Sequence, residues 1–193
     1  PAAVDGARTR GKARLEERSI LEWVDTLFGP CLGHENGRFA KSNDIPETLR
    51  AIVHIGNRTE GLRPHRVLFA DDTKSRAALL IAADTSAQVG RGRGRNTYAR
   101  FLELLRGTGS RLGLLTNGSQ FRLVYAGLDF ESWSEWEAER WFEDEDGSDE
   151  LAGLRLLLAP DSVKPGDSGS PFLLEAIEES RKRQADLSSV LRE

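Results

Sequence analysis

Three aspartates and a lysine stand where they could do chemistry. Asp71-Asp72 closes the apolar run His65–Ala70, Asp84 closes the apolar run Ala77–Ala83, and Lys74 lies between them. Acids at the ends of adjacent strands can hold a divalent cation, which activates water and stabilises charge developing on a phosphoryl group. On that reading Asp71, Asp72 and Asp84 are candidate magnesium ligands. Asp72, Asp84 and Lys74 are the candidate catalytic groups, with Lys74 reaching in from a loop. The same residues also fit plain turn formers, because Asp-Asp-Thr-Lys-Ser has the composition of an ordinary hairpin loop. A second group is basic: Arg91-Gly92-Arg93-Gly94-Arg95, followed by Arg100. Glycines let a backbone approach a phosphate closely, and the segment leads into a helix N-terminus, which favours anions. Arg91, Arg93, Arg95 and Arg100 are therefore candidate phosphate contacts. The Lys-Ser/Thr of a P-loop is missing after the last glycine. His34, His54 and His65 are scattered beside the single Cys31 and show no ligand spacing for a metal.

The elements that must position these groups are legible around them. Val67–Phe69 and Ala78–Ala83 are apolar runs of a length that suits buried strands. Tyr98, Phe101, Leu102 and Leu105 fall at i, i+3, i+4 and i+7, which predicts an amphipathic helix with this stripe in the core. Asn96 is its expected N-cap, and Gly107 its expected end. Leu112, Leu114 and Leu115 open another strand, and Asn117-Gly118 supplies a tight turn into the next. An earlier helix is expected over Arg14–Phe28, ended by Gly29-Pro30. The fold class that follows is α/β, a central mixed sheet with the Arg14–Phe28 and Asn96–Arg106 helices packed on it.

The flanking segments are less regular. Cys31–Leu62 is punctuated by Gly, Asn, Asp and Pro, with a short helix expected at Pro46–Arg50. Trp133, Trp136 and Trp141 sit among acids in Phe130–Phe142, a poor stacking platform for nucleic acid. They fit residues that cover a sheet edge or dock a neighbouring domain. Glu143–Asp149 reads as a solvated acidic loop, Leu151–Leu158 as a short helix or strand, and Val163–Pro171 as a linker. A last helix is expected over Phe172–Glu193, with Leu173, Ile177, Leu187, Val190 and Leu191 as its main apolar residues; it stops in mid-pattern, as a piece of a longer polypeptide would. Residues 1–13 form an expected flexible N-terminus, and 14–162 the folded domain.

Composition bounds the partners. The chain has 193 residues, enough for one good core, with 38% hydrophobic and 30% charged residues. Net charge is −4, yet Arg91–Arg111 holds six arginines against Glu103 alone. A basic stretch on an acidic protein favours a directed contact with a polyanion. One cysteine excludes an intrachain disulfide and fits a reducing cytosol. No apolar run approaches membrane-spanning length, and no signal-peptide pattern opens the sequence.

The segment LLTNGSQFRLVY, preceded by a helix ending LLRGTG, resembles the restriction-endonuclease-like N-terminal domains of type IIG-like restriction–modification proteins and related phage-defence methyltransferases. The terminal ESRKRQADLSSVLRE looks like the start of the helical connector to their methyltransferase. The resemblance spans about Arg14 to Glu193. It implies a restriction-endonuclease-like sheet flanked by helices with a C-terminal connector helix over 172–193, a cytoplasmic setting, double-stranded DNA as partner, and a methyltransferase further along the same polypeptide. In nucleases of the PD-(D/E)xK type an Asp precedes a strand carrying acid-x-Lys, whose carboxylates bind magnesium while the lysine handles the attacking water. Here Ile81-Ala82-Ala83-Asp84 puts Ala82 where the acid belongs and Asp84 where the lysine belongs. Sliding to Asp84-Thr85-Ser86 restores an acid and still gives no lysine. Two readings stand: an active magnesium-dependent endonuclease domain, and a nuclease fold that binds DNA or positions the methyltransferase with its chemistry lost. The missing lysine favours the second. A pure interaction scaffold is a third, if the arginine segment proves buried against another domain.

Overall fold

The sheet grows outward from its most apolar strands. Ala77–Ala83 (β5) and Leu112–Thr116 (β6) pair in parallel, and nearly every side chain along them is buried, as for strands covered on both faces. Antiparallel neighbours extend the pair. Phe39–Lys41 (β1) and Arg66–Phe69 (β4) lie on one side, Gln120–Ala126 (β7) and Glu131–Glu137 (β8) on the other. The result is a six-stranded mixed sheet in the order β1-β4-β5-β6-β7-β8. Ala51–Ile55 (β2) and Arg58–Leu62 (β3) form a separate two-stranded hairpin. This computed structural model describes residues 16–34, 36–91, 96–142 and 145–190; of residues 36, 142, 145–148 and 185–190 only the backbone is described.

Helices close both faces. Thr97–Thr108 (α2) connects β5 to β6, and Phe101, Leu102, Leu104 and Leu105 are buried in a core with Val67, Leu80, Leu115 and Val124. Gly113 admits this helix, because a Cβ there would collide with the Phe101 ring. The inner side of the β2–β3 hairpin, Ala51 and Leu62, joins the same core. The opposite face is covered by residues 16–26 (α1), Glu145–Leu158 (α3), the short Pro160–Val163 (α4) and Phe172–Val190 (α5). Val24, Phe28, Leu154, Leu158 and Leu173 meet Leu79, Ile81, Leu114 and Phe121 there. The expected α/β architecture, with the sheet between these helices, is the one observed.

Local expectations fare unevenly. Asn96 caps α2, its side chain accepting from the Ala99 N–H at 2.9 Å. The helix runs past Gly107, however, and ends at Gly109, whose φ of 71° is the left-handed one. Gly107 serves packing instead, since a Cβ there would lie 2.6 Å from that of Ala51 in the hairpin. Nor do Gly29-Pro30 end α1. The chain passes through them in a widened turn, Leu27–Cys31, with Leu32 N–H bonding Leu27 C=O at 2.9 Å, so the missing proline N–H is simply bypassed. The expected helix at Pro46–Arg50 is a single 3-10 turn over Glu47–Leu49. Of the expected acidic loop, α3 takes everything from Glu145 onward, where acids suit the positive end of a helix. Val163–Pro171 is not a free linker: Val163 is buried, Pro165 bridges Pro171, and Glu175 accepts from Ser168 N–H at 2.9 Å. Two of the three tryptophans belong to β8, the edge strand itself, and Trp141 stacks on Phe121 at 5.4 Å. Leu187 and Val190 lie on described backbone without described side chains, and Leu191 lies outside the described residues.

Candidate functional site

Strand direction separates the acids that the sequence suggested as one metal site. β4 and β5 are antiparallel, with Arg66 opposite Ile81 and Phe69 opposite Ala77. Asp71, Asp72 and Lys74 therefore sit at the turn between the strands, while Asp84 lies past the far end of β5, roughly 20 Å away at 3.3 Å per residue. Ligands of one cation must lie within about 2.0–2.6 Å of it. The turn residues are engaged as turn residues: Asp71 accepts from Ser75 Oγ at 2.8 Å and from Thr73 Oγ1 at 2.5 Å. These hydroxyl bonds hold its carboxyl below the ordinary value. Asp72 is exposed, 3.7 Å from Arg38 Nε, and Lys74 takes a left-handed φ of 57° at the tip. Asp84 is 1% exposed and uses both oxygens on its own loop, accepting from Ser86 N–H at 3.0 Å and Gly90 N–H at 3.2 Å. Magnesium does not fit this set. Among the described residues, no three His, Cys, Asp or Glu side chains come together as a metal site.

A different group meets at the C-terminal end of β5. Glu17 of α1, Arg63 and His65 before β4, Ala82, Ala83 and Thr85, and Thr97 and Arg100 of α2 line a cavity of about 340 Å³, backed by Phe101 and Leu104. His65 is fixed there from two sides. Its N–H donates to Ile81 C=O at 2.9 Å, and its Nδ1 accepts from Ala83 N–H at 3.0 Å. An accepting Nδ1 requires the neutral tautomer with hydrogen on Nε2, which stands 3.6 Å from Glu17 Oε1. Burial pushes the imidazole below its ordinary 6.5; Glu17 opposes that shift, and Arg66 and Arg63 reinforce it. A neighbouring hollow of about 400 Å³, lined by Glu16, Ser19, Asp84, Ser86 and Asn117, continues the same edge of the sheet. The cavity thus brings together Arg63, threonine hydroxyls, one imidazole N–H facing the Glu17 carboxylate, and Arg100, whose guanidinium is paired with Glu60.

Among the arginines expected to meet phosphate, Arg91 is exposed just beyond the Asp84 loop, its N–H donating to Gln88 C=O at 3.2 Å. Arg100 lines the cavity and pairs with Glu60. Arg93 and Arg95 lie outside the described residues. Sequence reading missed Glu17, Arg63 and His65. The signal for the latter two was Arg63-Pro64-His65 directly before an apolar strand, where proline suits a strand's start. Glu17 carried no signal of its own.

The fold and cavity define a mixed α/β domain whose polar site lies at one end of the central strands. Comparison of the chain with protein-family models, with curated proteins and with solved structures finds no match.

Proposed function

We propose that the chain is a DNA-directed domain of a bacterial restriction–modification or phage-defence protein, restriction-endonuclease-like in its sheet, that binds duplex DNA without cutting it. In the setting the resemblance implies, it positions a methyltransferase carried on the same polypeptide. The observation that carries this reading is the cavity at the end of β5. Its wall has Ala82 where the acid of the acid-x-Lys frame belongs, the neighbouring Asp84 is spent on backbone N–H groups, and Arg63 stands beside Arg100, which is paired with Glu60. Hydrolysis needs a metal held by well-placed acids and a group to orient the water. Binding a phosphate backbone needs only the cations.

The test is incubation of the chain with supercoiled plasmid in magnesium or manganese. The plasmid is expected to be retarded in a gel and to remain supercoiled. Cleavage by the wild type that Asp72→Ala, Asp84→Ala and Lys74→Ala each abolish would overturn the loss of chemistry and restore the endonuclease.

A further inference from the structure

The connection from β5 to α2 is pinned hardest at Gly90. Its φ of 70° lies in the left-handed region, and a Cβ there would collide with the Arg122 guanidinium, so the position asks for glycine. That guanidinium is itself fixed. It stands 5.5 Å from the centre of the Tyr98 ring and 4.3 Å from that of Trp133, and it pairs with Glu135 at 2.7 Å. The Gly90 N–H donates to Asp84 at 3.2 Å, and the Val89 N–H before it donates to Gln120 Oε1 at 2.9 Å. The Gly90 C=O accepts from Asn96 Nδ2 at 3.2 Å.

Asn96 thus uses the two ends of one amide for two tasks. Its Oδ1 caps α2 by accepting from the Ala99 N–H, and its Nδ2 reaches back six residues to Gly90. Gly90 and Asn96 flank residues 91–95, so this bond holds the two sides of the arginine segment together at the start of α2. The exposed Arg91 follows directly on the pinned glycine, its N–H tied to Gln88 C=O at 3.2 Å. Capping alone does not ask for asparagine, since serine and aspartate cap a helix about as well. Aspartate has no N–H to give Gly90, and the shorter serine hydroxyl does not span to it while capping.

We infer that Asn96 is the positioning residue of the arginine segment: through Gly90 it fixes the base from which Arg91 meets a phosphate, so that binding does not have to order that base. This rests on the proposed DNA-directed function. It goes beyond that reading by naming a residue outside the contact that holds the contact in place.

The experiment compares Asn96→Ser with Asn96→Ala. It reads the urea midpoint, duplex affinity by fluorescence anisotropy at several salt concentrations, and amide hydrogen exchange at Gly90 and Arg91 by NMR. The serine variant is expected to keep the wild-type midpoint and the alanine variant to lower it. Both are expected to bind duplex about threefold or more weakly. Their log–log salt slope should equal that of wild type, because the same cations meet phosphate. Both should also exchange the Gly90 and Arg91 amides faster. An Asn96→Ser variant that binds and exchanges as wild type makes Asn96 a cap alone and overturns the inference while the DNA reading stands. If serine lowers the midpoint as well, exchange at Gly90 and Arg91 is compared with exchange in β5, and an equal rise in both overturns it. Failure of wild type to bind duplex overturns the DNA reading and this inference with it.

Discussion

His65 shows how one side chain's hydrogen bonds decide what it can do. Its Nδ1 takes the Ala83 N–H, so a second proton on the ring would set donor against donor and break the tie between β4 and β5. His34 is held comparably: buried among Phe28 and α3, with Nε2 2.7 Å from Leu158 C=O, it too is pushed below 6.5, chiefly by burial. The unfolded chain binds protons at these two histidines more readily than the folded one. Stability is therefore full above pH 6.5 and falls as pH is lowered from there toward the depressed folded values. Urea midpoints at pH 7.5 and pH 5 check this. The midpoint should drop at pH 5, and His65→Gln should shrink the drop. A midpoint that rises on acidification contradicts the neutral assignment.

At the scale of elements, the connection from β5 to α2 depends on Asp84. Its carboxylate gathers the Ser86 and Gly90 N–H groups, and its own N–H donates to Thr116 C=O at 2.8 Å, tying the loop to β6. Asp84→Ala leaves those part-buried donors without this acceptor, a loss on the order of 1 kcal/mol. It should lower the urea midpoint, and an unchanged midpoint would show the loop to be held otherwise. The strands around it were legible because β4, β5 and β6 are apolar runs that could only be buried. The hairpin was not, since His54 and the exposed Ile52 break any simple alternation. β8 was missed because every other position from Glu131 is acidic or an exposed tryptophan, a pattern set by edge position rather than by core. The site itself was misjudged for one reason. Acids were weighed by type and nearness in sequence, whereas the antiparallel register brings His65, not Asp71, to the end of β5.

Taken whole, the molecule carries its positive charge unevenly. In a chain of net charge −4, Arg63, Arg91 and Arg100 lie around one end of the sheet, with Arg100 paired to Glu60 and with Glu17 in the same cavity, while Glu131 and Glu135 of the β8 edge pair with Arg106 and Arg122. On the proposed DNA-directed reading, contact with phosphates makes binding depend on salt. The direct test of the account is a duplex titration at several salt concentrations, with wild type beside Arg91→Ala/Arg93→Ala/Arg95→Ala. Wild type should bind with a log–log salt slope of about −3, the release expected from three neutralised phosphates. In the triple variant both affinity and slope should fall. Binding that ignores salt, or a variant indistinguishable from wild type, would contradict it.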